Sequence, residues 1–298
     1  MVNSSWENRF GTKKLLLSEP EFTILRDLIH ERLGSFYQNN KRELLEDKLS
    51  SLVIERGFDS FLDYYYLLKY DSVEAENEWI QVMNALRVPE TFFWREIDQI
   101  HALVKVLVPD YFASKPQEPL RIWSAACSSG EEPLTIAMAL HEAGWLERAP
   151  IEIIASDISK SAITRACQGR YRHYSLRNLP AEFRDKYFQA EQDKWRIMPE
   201  LVAKIKWHTA NLIVRTEIAP FASASIIFCR NIFIYFSEEM IRKTVRTFFE
   251  LMPTRAYLFV GASESLLKVT TDFDLQEIGG AFVYVKSKTK IKNPTTYF

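Results

Sequence analysis

Beyond about residue 118 the chain alternates short β-rich runs with helical stretches, and this alternation limits its fold more than any other feature. It is typical of a mostly parallel sheet covered by helices on both faces. The predicted strands are Leu120–Trp123, Ile151–Ser156, Ser225–Cys229, Tyr257–Val260 and Phe282–Lys286. The predicted helices fill residues 131–144, 159–168 and 238–252. Because ligands bind beyond the carboxyl ends of such strands, we expect a site at that edge of the sheet.

The chain before this region has helical periodicity, over residues 18 to about 88. Ser18 and Glu21 have the spacing of a capping box, and apolar residues then recur at helical intervals up to Gly34. A second helix follows, and a third is predicted to begin near Asp59. These segments predict a small helical bundle.

The change of pattern divides the chain into two predicted domains. An all-α domain is predicted over residues 1–88, a linker over 89–117 and an α/β domain over 118–298. The linker is expected to hold a connecting helix over 97–113. Residues 178–210 break the strand–helix alternation and are predicted to form an inserted β-subdomain.

Composition excludes several classes of protein. The 298 residues carry 38 basic and 39 acidic side chains, so the chain is not a generic polyanion binder and no nucleic-acid partner is expected. No apolar run approaches the roughly 20 residues of a membrane helix, and no signal peptide is visible, so membrane insertion is not expected. The cysteines Cys127, Cys167 and Cys229 lack metal-ligand spacing and predict reduced thiols in a cytoplasmic protein.

The turn after the first predicted strand, AACSSGEEP, is built from small residues and two adjacent glutamates. Phosphate-binding turns instead have several glycines or a lysine. The second predicted strand ends in Asp157, where a carboxylate typically accepts the hydroxyls of a ribose. A ligand with a ribose, an ammonium group and no phosphate is S-adenosylmethionine. An NAD-type site, a purely structural turn and an Asp157 that only caps a helix remain open alternatives.

Five separated stretches carry a resemblance to a known family. They are ETFFWRE (90–96), IWSAACSSGEEP (122–133), ASDISKSAITRACQGRY (155–171), FCRNIFIYF (228–236) and GASESL (261–266). Together they resemble the CheR family, the chemotaxis-receptor glutamate methyltransferases. The helical start of the chain also fits the N-terminal domain of that family, so the resemblance covers nearly the whole sequence.

The resemblance implies a Rossmann-like class I methyltransferase sheet with an inserted β-subdomain, preceded by an all-α domain. It implies S-adenosylmethionine as methyl donor, S-adenosylhomocysteine as product and no metal. The cofactor contacts of the family fall on Thr91, Arg95, Glu132, Asp157, Asn211, Leu212, Arg230 and Asn231. Glu132 would take the ammonium group, Asp157 the ribose, and residues 211–212 would border the adenine. Arg95 and Tyr235 match the residues at the reacting centre.

Several of these residues also have a purely structural interpretation. Arg95 is equally suited to a surface ion pair, and Tyr235 to filling the core. Asn231 is a residue type that caps turns after strands. The run 92–94 is expected to serve packing, with a second role as a wall around the methyl donor. The histidines do not cluster in sequence, and none is assigned to catalysis or metal binding.

The function implied is transfer of a methyl group to glutamate side chains of a methyl-accepting chemoreceptor, a coiled-coil protein. The predicted helix at residues 41–56, which includes Lys41, Arg42 and Lys48, is the expected docking face, although it is also rich in acidic residues. The stretch YFQAEQDKWRIM in the insertion has no glycine, which indicates an enzyme independent of a receptor C-terminal pentapeptide.

Two positions depart from the family pattern. Pro89 stands where an asparagine is common, and Ala262 stands where the family has histidine. The sequence leaves open whether these departures weaken cofactor binding or activity. The rival interpretations are a regulatory or scaffold protein that binds the cofactor without turnover, and a methyltransferase for a small carboxylic acid. Nucleic-acid base methylation is disfavoured by the near-neutral charge and by the absence of an N/D-P-P-Y/F motif.

Overall fold

The computed structural model describes residues 15–87, 90–115 and 117–287. The chain divides into two compact units, Met1–Val88 and Pro89–Phe298. Each unit has its own apolar core and is described by itself. Pro89, one of the two departures from the family pattern, lies outside the described residues.

The first unit is all-α, as predicted. Its helices are α1 Glu19–Leu33, α2 Arg42–Glu55, α3 Phe61–Tyr70 and α4 Glu74–Leu86. Ser18 forms the predicted capping box with Glu21, and Gly34 ends α1 in the left-handed conformation with φ 77°. The third helix begins slightly later than predicted, because Ser60 rather than Asp59 caps it.

The second unit contains a seven-stranded sheet and a three-stranded sheet. The strands are β1 Leu120–Ala125, β2 Ile151–Asp157, β3 Arg170–Arg172, β4 Phe188–Glu191, β5 Lys194–Ile197, β6 Ile205–Thr209, β7 Ile226–Cys229, β8 Ala256–Phe259, β9 Asp274–Ile278 and β10 Ala281–Lys286. The order in the large sheet is β6-β2-β1-β7-β8-β10-β9, with only β10 running antiparallel to its neighbours β8 and β9. The predicted, mostly parallel sheet is confirmed.

Helices cover both faces of this sheet. The helices described in the second unit are α5 Ile97–Ala102, α6 Val108–Ser114, α7 Glu131–Glu142, α8 Trp145–Arg148, α9 Lys160–Gln168, α10 Ala181–Tyr187, α11 Pro199–Ala203, α12 Arg215–Ala222 and α13 Glu238–Leu251. Successive strand residues point to opposite faces, so Ile122 and Ile153 join one apolar cluster whereas Trp123 and Ile154 join the other. The predicted connecting helix is interrupted by a π-helical segment, Leu103–Leu107.

The extent of the insertion differs from the prediction. Residues 205–209, placed in the insertion by sequence, form β6 and pair with β2 at the edge of the large sheet. The small sheet, in the order β3-β5-β4, begins instead at Arg170. β6 is an edge strand that pairs only with β2, and Lys206, His208 and Thr209 are exposed, so it lacks the continuous apolar run that marks the inner strands.

Candidate functional site

Asp157 ties together two loops at the carboxyl edge of the sheet. Its Oδ2 accepts the backbone N–H of Ser128, 2.8 Å away, and its Oδ1 accepts that of Ser159 at 2.9 Å. Ser159, not Asp157, is the N-cap of α9. A carboxylate can accept about four hydrogen bonds, so these contacts are compatible with the predicted contact to a ribose. Asp157 therefore has a structural role, and its contact with a ribose stays a prediction.

The turn after β1 brings the chain unusually close to its neighbours. Ala126, Ser128 and Gly130 have φ values of 57°, 53° and 92°, all in the left-handed region. A Cβ atom on Gly130 would lie 2.8 Å from the Cβ of Ala166 and 2.9 Å from the ring of Trp207. Glycine is therefore required at this position on steric grounds as well as conformational ones.

The two adjacent glutamates at the start of α7 face different surroundings. Glu131 is buried and accepts hydrogen bonds from the hydroxyls of Ser129 and Ser175. Glu132 accepts one from Ser124 Oγ at 2.6 Å, and its Oε2 lies 3.3 Å from Nη1 of Arg230. Burial raises the pKa of Glu132, although the charge of Arg230 and the bond from Ser124 oppose this shift. Of the two, Glu132 is the one held against a buried cation.

Arg230 joins three parts of the site, and its side chain is only 3% exposed. Nη2 donates to the carbonyl oxygen of Arg95 at 2.6 Å, while Nε lies 3.3 Å from Oε2 of Glu96. Neither Nε of Arg230 nor that Glu96 oxygen has a hydrogen-bond partner among the described residues. Unsatisfied buried polar atoms often mark places where a ligand or water completes the network. Arg230 thus links the Glu132 carboxylate to the segment that carries Arg95.

The segment that carries Arg95 runs along the same region. Nη1 of Arg95 donates to the Glu90 carbonyl at 2.7 Å, and the guanidinium lies 5.3 Å from the centre of the Phe92 ring. Burial raises the pKa of the half-buried Tyr235, whereas the positive charge of Arg95 lowers it. The same charge also lowers the pKa of Glu132. Arg95 therefore acts electrostatically on residues from both predicted parts of the site.

The middle of the ETFFWRE stretch serves packing, in agreement with its structural interpretation. Phe93 is fully buried, and its ring centre lies 4.8 Å from that of Tyr171 and 5.1 Å from that of Phe188. These partners belong to β3 and β4 of the small sheet. Trp94 packs on Phe183 at 4.3 Å. The segment is thereby fastened to the insertion.

The remaining predicted residues occupy the same edge of the sheet or the segment just described. Asn211 and Leu212 follow β6, and Leu212 is buried; the backbone N–H of Asn211 donates to Glu217 at 2.8 Å. Asn231 follows β7 with φ 58°. Thr91 is half-buried at the start of the segment that carries Arg95.

Two carboxylates that the sequence did not single out hold this arrangement. Glu96 pairs with Arg230 and accepts a long contact, 3.5 Å, from Nδ2 of Asn231. Glu264 accepts the backbone N–H of Asn231 at 2.8 Å. Both lie inside the stretches that carry the family resemblance, which was the available signal. Their partners are distant in sequence, so spacing gave no reason to select them.

The described residues also bear on a metal centre and on a membrane span. Over residues 15–87, 90–115 and 117–287 no cluster of His, Cys, Asp and Glu side chains is arranged to hold a metal ion. Over the same ranges no helix combines the length and apolarity needed to cross a bilayer. All three cysteines are free thiols.

Comparison with known proteins gives matches to both units. Residues 20–86 match the family described as "CheR methyltransferase, all-alpha domain", and residues 89–281 match "CheR methyltransferase, SAM binding domain". "Chemotaxis protein methyltransferase 2" of Vibrio cholerae is 34% identical over 277 residues, 92% of this chain and 95% of that protein. "Chemotaxis protein methyltransferase" of Escherichia coli is 31% identical over 281 residues, 93% of this chain and 94% of that protein.

These matches extend over the two units in the predicted order. They confirm the predicted family, the all-α domain and the S-adenosylmethionine-binding methyltransferase domain that follows it. The alternative of an NAD-type site is thereby removed. This chain belongs to the CheR family of S-adenosylmethionine-dependent methyltransferases of bacterial chemotaxis.

Proposed function

We propose that this enzyme methylates glutamate side chains of a chemoreceptor and so forms glutamyl methyl esters. The observation that carries the proposal is that buried Arg230 contacts both Glu132 and the backbone carbonyl of Arg95. Arg230 thereby links a carboxylate suited to an ammonium group with Arg95, whose guanidinium is suited to an acceptor carboxylate. The names of the relatives support a role in chemotaxis. A cytoplasmic location is part of the proposal and agrees with the free thiols.

The site fits S-adenosylmethionine on the chemistry of its residues. Glu132, whose side chain is only partly exposed, offers a negative charge for the ammonium group, and Asp157 offers a carboxylate at the end of β2 for the ribose. Beside them, Nε of Arg230 and Oε2 of Glu96 form a buried ion pair at 3.3 Å that holds the cation next to Glu132. When bound, S-adenosylmethionine supplies an electrophilic methyl group on a sulfonium. We propose that S-adenosylhomocysteine is the product and that no metal takes part.

The reaction makes few demands on acid–base chemistry. An acceptor glutamate has a pKa of about 4.3 and is already ionised at neutral pH, so no general base is needed. We propose that Arg95 orients this carboxylate through its planar pair of donors. Tyr235 keeps its proton, because burial raises its pKa, and can donate a hydrogen bond to the acceptor. Holding two reactants in line can supply roughly 7–11 kcal/mol of the barrier reduction.

The pH dependence of cofactor binding should report Glu132. The raised pKa means that Glu132 in the free protein gains a proton at a higher pH than an ordinary glutamate. The protonated form cannot attract an ammonium group, so affinity should fall as pH decreases through that window and recover as pH rises. Calorimetric titration of S-adenosylmethionine from pH 8 to pH 5 measures this. Glu132→Gln should bind weakly with little pH dependence, whereas the neighbouring change Glu131→Gln should keep the wild-type pH profile.

Transfer of a base-labile methyl group tests the proposed reaction. The protein is incubated with methyl-labelled S-adenosylmethionine and a chemoreceptor fragment that contains the methylation helices. We expect label on the fragment that is released as methanol by mild alkali, and none on a fragment whose acceptor glutamates are replaced by alanine. Tight cofactor binding without transfer would instead support a regulatory protein, and label on small carboxylic acids alone would support the other rival.

The predicted docking helix is less basic than its sequence indicates. Lys48 is half-buried, and its Nζ donates to the carbonyl oxygen of Ala85 at 3.1 Å, where it caps the end of α4. Lys41 and Arg42 are exposed at the start of α2. We propose that these two side chains give weak, salt-sensitive docking to a receptor helix, because exposed ion pairs contribute only about 0–1 kcal/mol each.

Charge reversal tests this docking face. The double change Lys41→Glu and Arg42→Glu should lower the rate of receptor methylation about tenfold at low salt, and by less at high salt, with two pairs of up to ~1 kcal/mol each at stake. Lys69→Glu, on α3, is the control and should leave the rate unchanged. Equal rates for the double variant and the wild type at low salt would place docking elsewhere.

The proposal also includes independence from a receptor C-terminal pentapeptide. The β4–β5 hairpin turns through Gln192 and Asp193 without a glycine, and Gln192 has φ 54°. Such a tight turn leaves no long loop at this end of the small sheet. We expect no binding of such a pentapeptide in calorimetry.

A further inference from the structure

Glu264 lies in the loop after β8 and holds three backbone amides with one side chain. Its Oε2 accepts the N–H of Asn231 at 2.8 Å and that of Gly261 at 2.7 Å. Its Oε1 accepts the N–H of Ile234 at 3.2 Å. The two oxygens therefore grip different parts of the loop that follows β7. One holds the residue next to Arg230, and the other holds the turn that carries Tyr235.

The loop after β7 turns sharply at Asn231, which lies in the left-handed region at φ 58°, a conformation that asparagine tolerates better than other non-glycine residues do. The loop also passes very close to the end of β8, since a Cβ on Gly261 would lie 2.4 Å from Nδ2 of Asn231 and 2.9 Å from Oε2 of Glu264. The close backbone approach and the carboxylate that accepts backbone N–H groups at the same point show that Glu264 holds the loop in place, unlike a surface ion pair.

The residues at the two ends of this loop have different proposed roles, one at the cofactor and one at the acceptor. Arg230, before it, contacts Glu132 at the proposed ammonium site. Tyr235, near its end, is acted on electrostatically by Arg95 and by Glu264 itself. The Glu264 carboxylate can therefore hold the backbone next to Arg230 and next to Tyr235 at the same time.

We propose that Glu264 is a positioning residue for methyl transfer, setting the cofactor side of the loop through Oε2 and the acceptor side through Oε1. This inference rests on the proposed function, because it gives Tyr235 a place beside the acceptor. Glu264 need not contact either substrate. Its effect passes through the backbone of Asn231 and Ile234.

The two oxygens accept different backbone amides, so a conservative change of Glu264 can remove one set of contacts and keep the other. Glutamine keeps one oxygen and replaces the other by an NH₂ group, which cannot accept a hydrogen bond. The oxygen should remain where it accepts two amides, at Asn231 and Gly261. The NH₂ group would then face the N–H of Ile234, so that only the acceptor side loses its support.

The experiment compares Glu264→Gln, Glu264→Ala and the wild type in kcat, in the Kd of S-adenosylmethionine and in amide hydrogen exchange. For Glu264→Gln we expect kcat on the receptor fragment to fall about tenfold, with Kd within about twofold of the wild type and faster exchange at Ile234 alone. For Glu264→Ala we expect Kd to rise about tenfold as well, with faster exchange at Asn231 and Gly261. Glu239→Gln, an exposed change of the same charge in the first turn of α13, is the matched control and should change none of these.

Two results would overturn the proposal. One is a Glu264→Gln protein with wild-type kcat and unchanged exchange at Ile234. The other is a fall in melting temperature for both variants while kcat and Kd per folded molecule stay at wild-type values, since that would make Glu264 a stabilising residue only. A wild type that transfers no methyl group defeats the proposed function instead, and Kd and exchange at the three amides then decide the role of Glu264.

Discussion

Replacing Arg230 with methionine should destabilise the second unit by about 3 kcal/mol, the lower end of the cost of removing one partner from a buried ion pair. The change leaves the carboxylates of Glu132 and Glu96 facing a cavity without the cation that lies 3.3 Å from each of them. The backbone oxygen of Arg95 also loses its donor. The free energy of unfolding from urea denaturation at pH 7 measures the effect, and Arg242→Met, on the exposed face of α13, is the control.

The loss should depend on pH with a definite sign. Without Arg230, burial raises the pKa of Glu132 further above its value in the unfolded chain. When the pKa of a carboxyl group is higher in the folded than in the unfolded state, protonation of that group favours folding. Its contribution to the free energy of unfolding is fully present below the unfolded pKa and is lost as pH rises through the folded pKa. The variant should therefore approach wild-type stability near pH 4 to 5, about the pKa of free glutamate. A deficit that is constant from pH 5 to pH 8 would show that lost packing, not uncompensated charge, is responsible.

Replacing Arg95 with alanine should lower kcat by about 10²–10³, the usual range for loss of one donor aimed at the reacting groups. The affinity for S-adenosylmethionine should fall by less than about tenfold, since Glu132 and Asp157 keep their own contacts. Arg95→Lys should restore little, because an ammonium group lacks the planar pair of donors. Rates of methyl transfer with saturating cofactor, together with calorimetry, separate the two effects.

Arg177 provides a matched control for Arg95. Its guanidinium stacks on the same Phe92 ring, 3.7 Å from the ring centre, and pairs with Glu90. Arg177→Ala removes the same charge from the same aromatic surface. A large loss of kcat in both variants would point to a general electrostatic effect, and near-normal turnover of Arg95→Ala would remove Arg95 from the reacting centre.

Local signals made much of the fold predictable from sequence. The capping box at Ser18, the left-handed Gly34 and the strand–helix alternation all depend on residues near one another in the chain. The failures occurred where the decisive partner is remote. β6 gains its place only by pairing with β2, and β9 only by pairing with β10, so the polar sequences of these edge strands did not reveal them.

The candidate site shows the same division. The carboxylates Glu132 and Asp157 stand at the ends of predicted elements, where the expected ligand chemistry drew attention to them. Glu264 and Glu96 act on Asn231 and Arg230 across long separations in sequence. The resemblance places Lys48 on the expected docking helix, but the length of its side chain lets it reach the end of α4 instead. A position on a helix does not determine where the charged end of a flexible side chain lies.

The packing of Phe93 against the small sheet limits how such enzymes can be recombined. A chimaera that exchanges only residues 170–197 with a relative would bring new side chains to the positions of Tyr171 and Phe188, which enclose this ring. Any misfit would be transmitted through two residues of backbone to Arg95, so an exchange intended to alter partner choice would also alter turnover. Viable grafts should therefore carry the aromatic trio as one unit, and libraries of insertions should be built on the β4–β5 turn, away from it.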